Sequence, residues 1–401
     1  RALGAEAYGE FGIIRSTVGM FGTLAGFGLG TTATKYIAEL RDADPARAGR
    51  VLSLSRMVAL ITGGLMAAAL ALLAPWLAAN TLAAPHLAGM IRVSGILLLF
   101  SAINGAEAGA LAGFEAFRAI ALRSLWAGLA NFPLMVGGVY LFGLAGAVWA
   151  LVLSMALNWL LNYLAVRKAA AVARVPLGLH GWRAELPVLW QFSLPAALSS
   201  AMVGPVTWAC NAMLVNQPNG YVEMGIHDAV GQWYSLLRFL PALLGHVLLP
   251  ILSERHGQRD TRQTVRAMTM AMKLNGLVVL PLVFAASIGS PYIMSLYGDE
   301  FADSWPTLLV VLFTSGLLAV QLPVGQVIVA SGRMWTGFLM NLGWSIVFVL
   351  GTMALLDDGA FGLAVARGLA YIVHAVWTFG FARSLICSMD DHPGATRAVC
   401  T

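Results

Sequence analysis

Apolar residues in this chain fall in long continuous runs, without the strict alternation of a half-buried strand or the narrow stripe of a surface helix. A spanning helix needs about 20 mostly apolar residues to cross a hydrocarbon core of about 30 Å. Eleven runs meet that length, near residues 11–34, 52–77, 90–112, 120–141, 143–166, 189–214, 226–251, 268–290, 305–330, 335–356 and 360–386. The connections between them are short and hold no soluble domain. A spanning β-barrel would show short alternating segments instead. The pattern therefore predicts an all-α polytopic membrane protein with eleven spans.

Composition removes the remaining alternatives. Of 401 residues, 59% are hydrophobic and only 11% charged, and the mean hydropathy is +0.78. An average soluble domain carries roughly 25% charged residues, so a water-soluble globule is excluded, and so is a disordered chain. The three cysteines, Cys210, Cys387 and Cys400, form no CxxC. No disulfide, zinc or other metal site is expected from them, and no cofactor. No GxxxxGK[ST] loop occurs either, so this chain is not expected to use ATP.

Charge sets the orientation. The connections after the first, third, fifth, seventh and ninth runs, with the C-terminal tail, hold nineteen Lys and Arg, against Arg1 and Arg92 on the other side. By the positive-inside bias the first set is cytoplasmic. The C-terminus is then cytoplasmic too, and the net charge of +5 reports topology and no affinity for nucleic acid.

Short matches recur at a nearly constant offset. Glu10-Phe11-Gly12-Ile13 returns as Glu223-Met224-Gly225-Ile226, and Phe142-Gly143-Leu144-Ala145 as Phe361-Gly362-Leu363-Ala364. Ala112-Gly113 and Ala330-Ser331-Gly332 stand at a similar spacing. Corresponding helices cross in the same direction, so the repeat is parallel, with its axis along the membrane normal. Two six-helix bundles related by a pseudo-twofold are expected, an N-terminal lobe over 1–175 and a C-terminal lobe over 176–401. The offset puts the counterpart of the 189–214 run before Arg1, so the expectation includes a first helix missing from this chain.

Several stretches carry a resemblance. They include Leu3-Gly4-Ala5-Glu6-Ala7-Tyr8-Gly9-Glu10-Phe11-Gly12, Ala110-Leu111-Ala112-Gly113-Phe114-Glu115-Ala116-Phe117-Arg118 and Leu249-Pro250-Ile251-Leu252-Ser253-Glu254. Tyr297-Gly298-Asp299-Glu300-Phe301 and Gly325-Gln326-Val327-Ile328-Val329-Ala330-Ser331-Gly332-Arg333 extend it along the chain. Together the sequence resembles the lipid-linked oligosaccharide (O-antigen type) branch of the multidrug/oligosaccharidyl-lipid/polysaccharide exporter superfamily. The resemblance implies a two-lobed alternating-access flippase of the bacterial inner membrane. Its cargo would be a polyprenyl-pyrophosphate-linked glycan, its surroundings membrane lipids, and its partners a glycan polymerase and glycosyltransferases. It would act as a monomer.

Such cargo poses one physical problem: a diphosphate must cross hydrocarbon in which an unpaired charge costs several kcal/mol. Arginine answers it best, with a fork of donors that stays protonated. In the 226–251 run Asp228, Gln232, Ser235, Arg238 and His246 share a stripe of about 120° by helical arithmetic. Arg238 lies roughly 18 Å inside that run at 1.5 Å per residue. The functional reading makes it a cavity arginine that holds the anionic head group. The structural reading makes it a partner for Asp228 or Glu107.

Arg15 and Arg367 are shallower candidates for the same cationic role, and Arg15 can equally reach the interface. Arg15 and Asp228 correspond by the repeat, and the expectation is that they meet when the outer side closes. Glu107, with Asn104, and Asp228 are the deep carboxylates and candidates for ion coupling. A neutral, hydrogen-bonded Glu107 is the competing reading. His246 and His374 read as bundle histidines. Arg255, Arg259, Arg262 and Arg266 share one face of a cytoplasmic helix, where they either collect anionic head groups or serve as topology charge. Gly22, Gly26 and Gly30 permit close helix contact.

Two other functions compete. A cation-coupled drug exporter of the same superfamily would want an acidic, aromatic cavity, and the arginines weigh against it. A membrane glycan polymerase or ligase would need catalytic groups in a large outer loop, and Asp299, Glu300 and Asp303 stand in a short one.

Overall fold

The computed structural model describes residues 3–178, 181–194, 197, 202–257, 261–330 and 334–390, which are helical or connecting and contain no strand. The longer helices are α1 (Gly4–Gly26), α2 (Leu29–Leu40), α3 (Pro45–Trp76), α4 (Ala88–Gly113), α5 (Phe117–Val172) and α6 (Val203–Val215). They continue with α7 (Gly220–Gly257), α8 (Thr261–Ile288), α9 (Ser290–Tyr297), α10 (Trp305–Ala330), α11 (Met334–Leu355) and α12 (Gly359–Asp390). Six segments among the described residues are long and apolar enough to cross a membrane: Pro45–Thr81, Pro85–Gly113, Phe117–Val172, Arg262–Ile288, Trp305–Ile328 and Trp335–Ser384. The protein is an all-α polytopic membrane protein.

Two of these six are hairpins. The 56-residue α5 turns at Gly143, whose φ of 58° and ψ of −135° are non-helical. Its arms return antiparallel: Ser154 donates to Asn131 Oδ1 at 2.7 Å and Arg123 to Asn158 Oδ1 at 2.9 Å. Near the turn, Gly138 and Gly146 press backbone against backbone, where a side chain on either would collide. The turn between α11 and α12 repeats this at Gly359, with φ 59° and ψ −134°. Only glycine takes that conformation without strain. The sequence match pairs Gly143 with Gly362, whereas the backbone conformation pairs it with Gly359.

The run at 11–34 differs from the expectation of one span. Phe27 and Gly28 both have positive φ, 43° and 64°, and they divide the run into α1 and α2. The Gly28 carbonyl accepts the first backbone bond of α2, from the Thr32 amide at 3.1 Å, and the hydroxyls of Thr31 and Thr32 donate to it as well, at 2.7 and 3.0 Å. An uninterrupted apolar count cannot register such a turn. Of the glycine stripe expected to allow close contact, Gly30 alone does so, since its carbonyl lies where a side chain on Gly109 of α4 would stand. Gly26 faces open space. The run at 189–214 begins with a π turn at Leu189–Ser193 and ends with α6, and much of what lies between is outside the described residues.

By contact the chain forms two compact units, Glu10–Asn216 and Gln217–Thr401 with Leu3–Gly9. The lobe boundary expected at 175–176 falls inside the first. In the first unit α4 is the central helix, packed on α2, α3 and α5. Its core is built of small residues, among them Ala25, Ala59, Ala102 and Ala106 around Leu29. In the second unit α10 is central, packed on α7, α8 and α12, around Ala229, Val230, Leu308, Leu312 and Ala364. Lipid chains are as apolar as leucine, so close approach of small residues holds such helices together.

Carboxylates close two helix starts within the second unit. Glu300 accepts from the Ala5 amide and Glu223 from the Ala360 amide, each at 2.7 Å. Each satisfies an orphan donor of the first helical turn and complements the positive end of the helix.

Candidate functional site

The second unit gathers two of the expected cationic residues around one aromatic cluster. Arg238 sits at the middle of the 38-residue α7, about 27 Å from either end by helix rise. It is exposed, and its guanidinium lies 5.1 Å from the centroid of Tyr234, one turn before it. Its Nη1 donates to the Tyr234 hydroxyl at 3.0 Å. The Tyr234 and Tyr371 hydroxyls are 3.3 Å apart. Tyr371 packs on Trp344, and Trp344 on Phe348, each at 5.3 Å between centroids. Arg367 closes the series over Phe348 at 5.4 Å. Arg238 and Arg367 thus stand at the two ends of a four-ring series drawn from α7, α11 and α12. Aromatic faces hold them, and neither makes a salt bridge among the described residues.

The rest of the α7 stripe is less concerted. Gln232 and Ser235 are exposed. The amide of Gln232 reaches the Tyr8 hydroxyl at 3.5 Å, and Ser235 donates back to Gly231 O of its own helix. Asp228 is half-buried. The side chains of His246 and Arg255, and Arg259 as a whole, lie outside the described residues. Arg262 and Arg266 are exposed near the start of α8. Sequence reasoning passed over His227, which is buried and lines a cavity of about 10 Å³ with Gly231, Tyr234, Thr314 and Arg367.

In the first unit Arg15 is exposed on α1, with its guanidinium 5.8 Å from the centroid of Phe11. Glu107 is buried in α4 and is held by Arg56 of α3 through two hydrogen bonds of 2.8 Å. Neither reading of Glu107 anticipates this partner, because Arg56 stands near the basic end of the 52–77 run, where an arginine reads as topology charge. Asn104 lies one turn away. Its side-chain amide donates to Met155 O at 3.2 Å and its carbonyl accepts from Asn162 at 2.6 Å. Arg56 and Arg167 both lie over Tyr163, at 5.6 and 5.8 Å.

One local rule recurs. Phe11 and Arg15, Tyr163 and Arg167, and Tyr234 and Arg238 are each four residues apart on a helix, and each arginine lies over the ring one turn before it. Helical side chains lean toward the N-terminus, so an arginine at i+4 covers an aromatic at i. The contact holds a guanidinium in an apolar setting while leaving donors of its fork for a ligand.

Comparison with known proteins follows this architecture. Residues 1–256 match the polysaccharide biosynthesis protein family. The chain is 29% identical over 224 residues to the EPS I polysaccharide export inner membrane protein EpsE of Ralstonia solanacearum, a match covering 52% of this chain and 51% of that protein. It therefore spans about half the length of that relative. It is 24% identical over 388 residues to the lipid III flippase of Escherichia coli K12, covering 92% of this chain and 90% of the flippase. Among solved structures, an inward-facing multidrug resistance MATE family transporter of the MOP superfamily superposes with a TM-score of 0.78 at 16% identity, over 98% of this chain and 93% of the other. That likeness shows the fold.

Proposed function

The chain belongs to the polysaccharide biosynthesis protein family, and on that premise we propose that it flips a polyprenyl-diphosphate-linked glycan from the cytoplasmic to the outer leaflet of a bacterial inner membrane by alternating access. Family membership and a fold shared with a transporter support a membrane exporter. The lipid-linked cargo is the finer reading, and one observation carries it. Arg238, at the middle of α7, is exposed and rests on a tyrosine face, with no salt bridge among the described residues. A cation kept deep in an apolar helix without a neutralising partner is costly unless it serves an anion. A diphosphate is such an anion, and the guanidinium fork suits its oxygens. The similarity to a polysaccharide export inner membrane protein and to a lipid III flippase supports this reading.

On this reading Arg238 and Arg367 of the second unit receive the head group, and Arg15 of the first unit is a cationic candidate by itself. Gln232 and Ser235 offer polar contacts to sugar. Asp228, half-buried on α7, is the candidate for ion coupling, and the Glu107 carboxylate is held by Arg56. Arg262 and Arg266 draw anionic lipids to the cytoplasmic surface, where the C-terminus also lies. A glycan polymerase and glycosyltransferases act beside the protein, which functions as a monomer. A drug exporter for cations would need unpaired carboxylate where Arg238 stands.

The test is translocation in a strain that depends on this protein for surface polysaccharide. Arg238→Ala is expected to leave lipid-linked glycan on the cytoplasmic leaflet while the protein reaches the membrane in normal amount. Undiminished surface glycan in that variant refutes the reading.

A further inference from the structure

We propose that the first unit carries a second, separate anion site, a cleft at the start of α3 that binds the phosphate groups of a lipid head group. The cleft has a volume of about 510 Å³ and is lined by Ser53, Arg56, Tyr163, Arg167, Leu177 and Gly178, among others. Ligand pockets typically measure about 300–1,000 Å³. Two guanidinium groups converge on it, both over the Tyr163 ring, at 5.6 and 5.8 Å. Glu107 occupies Nε and Nη2 of Arg56, which leaves Nη1 for the cleft. Arg167 is exposed and makes no salt bridge among the described residues. It supplies the uncompensated positive charge.

The opposite wall is built and fixed. After α5 the chain runs back along α3, and Ser53 donates to Gly178 O at 2.7 Å. Beyond it the buried Glu185 accepts from Arg47 Nε at 3.1 Å and Arg50 Nε at 3.2 Å. Gly49 meets Pro176 O so closely that any side chain there would collide. These contacts hold the cleft open before any ligand arrives, so binding need not order it.

Its chemistry selects phosphate. Arginine stacked on an aromatic presents a planar fork that matches phosphate oxygens and loses little rotamer freedom on binding. Leu177, Val175 and Ala171 give the cleft an apolar flank, which fits the first carbons of a lipid chain and not a free soluble anion alone. That the lipid is the transported one rests on the proposed function, whereas the phosphate site does not. A diphosphate lipid and a bulk anionic phospholipid share the recognised chemistry, and the experiment separates them.

The full chain, in nanodiscs of zwitterionic lipid, would carry Leu177→p-benzoylphenylalanine and be irradiated with a radiolabelled polyprenyl diphosphate. We expect labelling that falls about tenfold, the loss of one good ionic contact, in Arg167→Gln, is partly restored in Arg167→Lys, and is unchanged in Arg238→Gln. Competition by inorganic diphosphate but not by phosphatidylglycerol assigns the site to diphosphate lipids. Equal competition by phosphatidylglycerol assigns it to bulk phospholipid, and both outcomes support a phosphate site. Labelling undiminished in Arg167→Gln overturns the proposal. If translocation ignores Arg238→Ala while the label still depends on Arg167, the proposed function fails and this site stands.

Discussion

Arg56 on α3 and Glu107 on α4 meet as a two-point pair, Nε to Oε1 and Nη2 to Oε2, both at 2.8 Å. The Glu107 side chain is 1% exposed and that of Arg56 19%. Breaking a buried pair from one side leaves a desolvated charge and costs about 3–5 kcal/mol. Glu107→Gln should fall near the lower figure, because Arg56 still reaches the cleft. The expected observation is a clear drop in thermal midpoint in detergent, with Arg56→Met/Glu107→Leu recovering most of it. A double variant as unstable as Glu107→Gln would show that packing, and not charge, holds the two helices there.

The Arg238–Tyr234 contact separates charge from geometry. Lysine keeps the charge but lacks the planar fork that both stacks on a ring and grips phosphate. Arg238→Lys should therefore translocate far less than the native protein, though more than Arg238→Gln. Tyr234→Phe keeps the ring beneath the guanidinium and removes the 3.0 Å hydrogen bond. Losing one such bond is worth about 1 kcal/mol, so the expected loss of rate is several-fold. Native rates in both Arg238→Lys and Tyr234→Phe would mean that charge alone matters at this position.

What the linear pattern revealed and what it hid have physical causes. Helix class and the turn between the α5 arms follow from run length and a break at Leu141–Leu144, where polar content hardly changes but Gly143 permits the reversal. The break at Phe27–Gly28 stayed hidden because it lies inside an apolar run. Arg238 stands out because it is isolated within an apolar run. Arg56 and Arg167 do not, since near a basic end an arginine in a site looks like one that sets topology. Their signal was there as spacing: Trp159, Tyr163 and Arg167 are four apart, and they stack in that order. Glu107's partner could not be read from one helix, since the pair joins positions fifty-one apart.

The segment after α5 is held down by Glu185, whose side chain is 5% exposed and accepts from both Arg47 and Arg50. Glu185→Gln removes the charge that both arginines share, and Ser53→Ala removes the bond to Gly178. Each should loosen the stretch containing Arg174 and Arg183. Limited trypsin digestion of the protein in nanodiscs is expected to cut at these two residues faster in either variant, and fastest in the double variant. Unchanged cleavage in the double variant would mean that other contacts keep the wall in place.

Gly143 and Gly359 offer a matched pair for measuring backbone strain against crowding. Their φ and ψ agree within a degree, 58° and −135° against 59° and −134°. A side chain on Gly143 would meet nothing within 4 Å, whereas one on Gly359 would stand 2.6 Å from the Glu223 carboxyl carbon. That carboxylate accepts from the Ala360 amide at 2.7 Å, so it cannot retreat without uncapping α12. Alanine at Gly143 should cost only the conformational term, about 1–3 kcal/mol. Alanine at Gly359 should cost that plus about 1 kcal/mol for the lost cap. Thermal midpoints of the two variants, read side by side, are expected to fall in that order, and combining Gly359→Ala with Glu223→Ala should relieve the crowding but not the strain. Equal midpoints for the two single variants would show that the Glu223 carboxylate yields freely, and that the start of α12 does not depend on it.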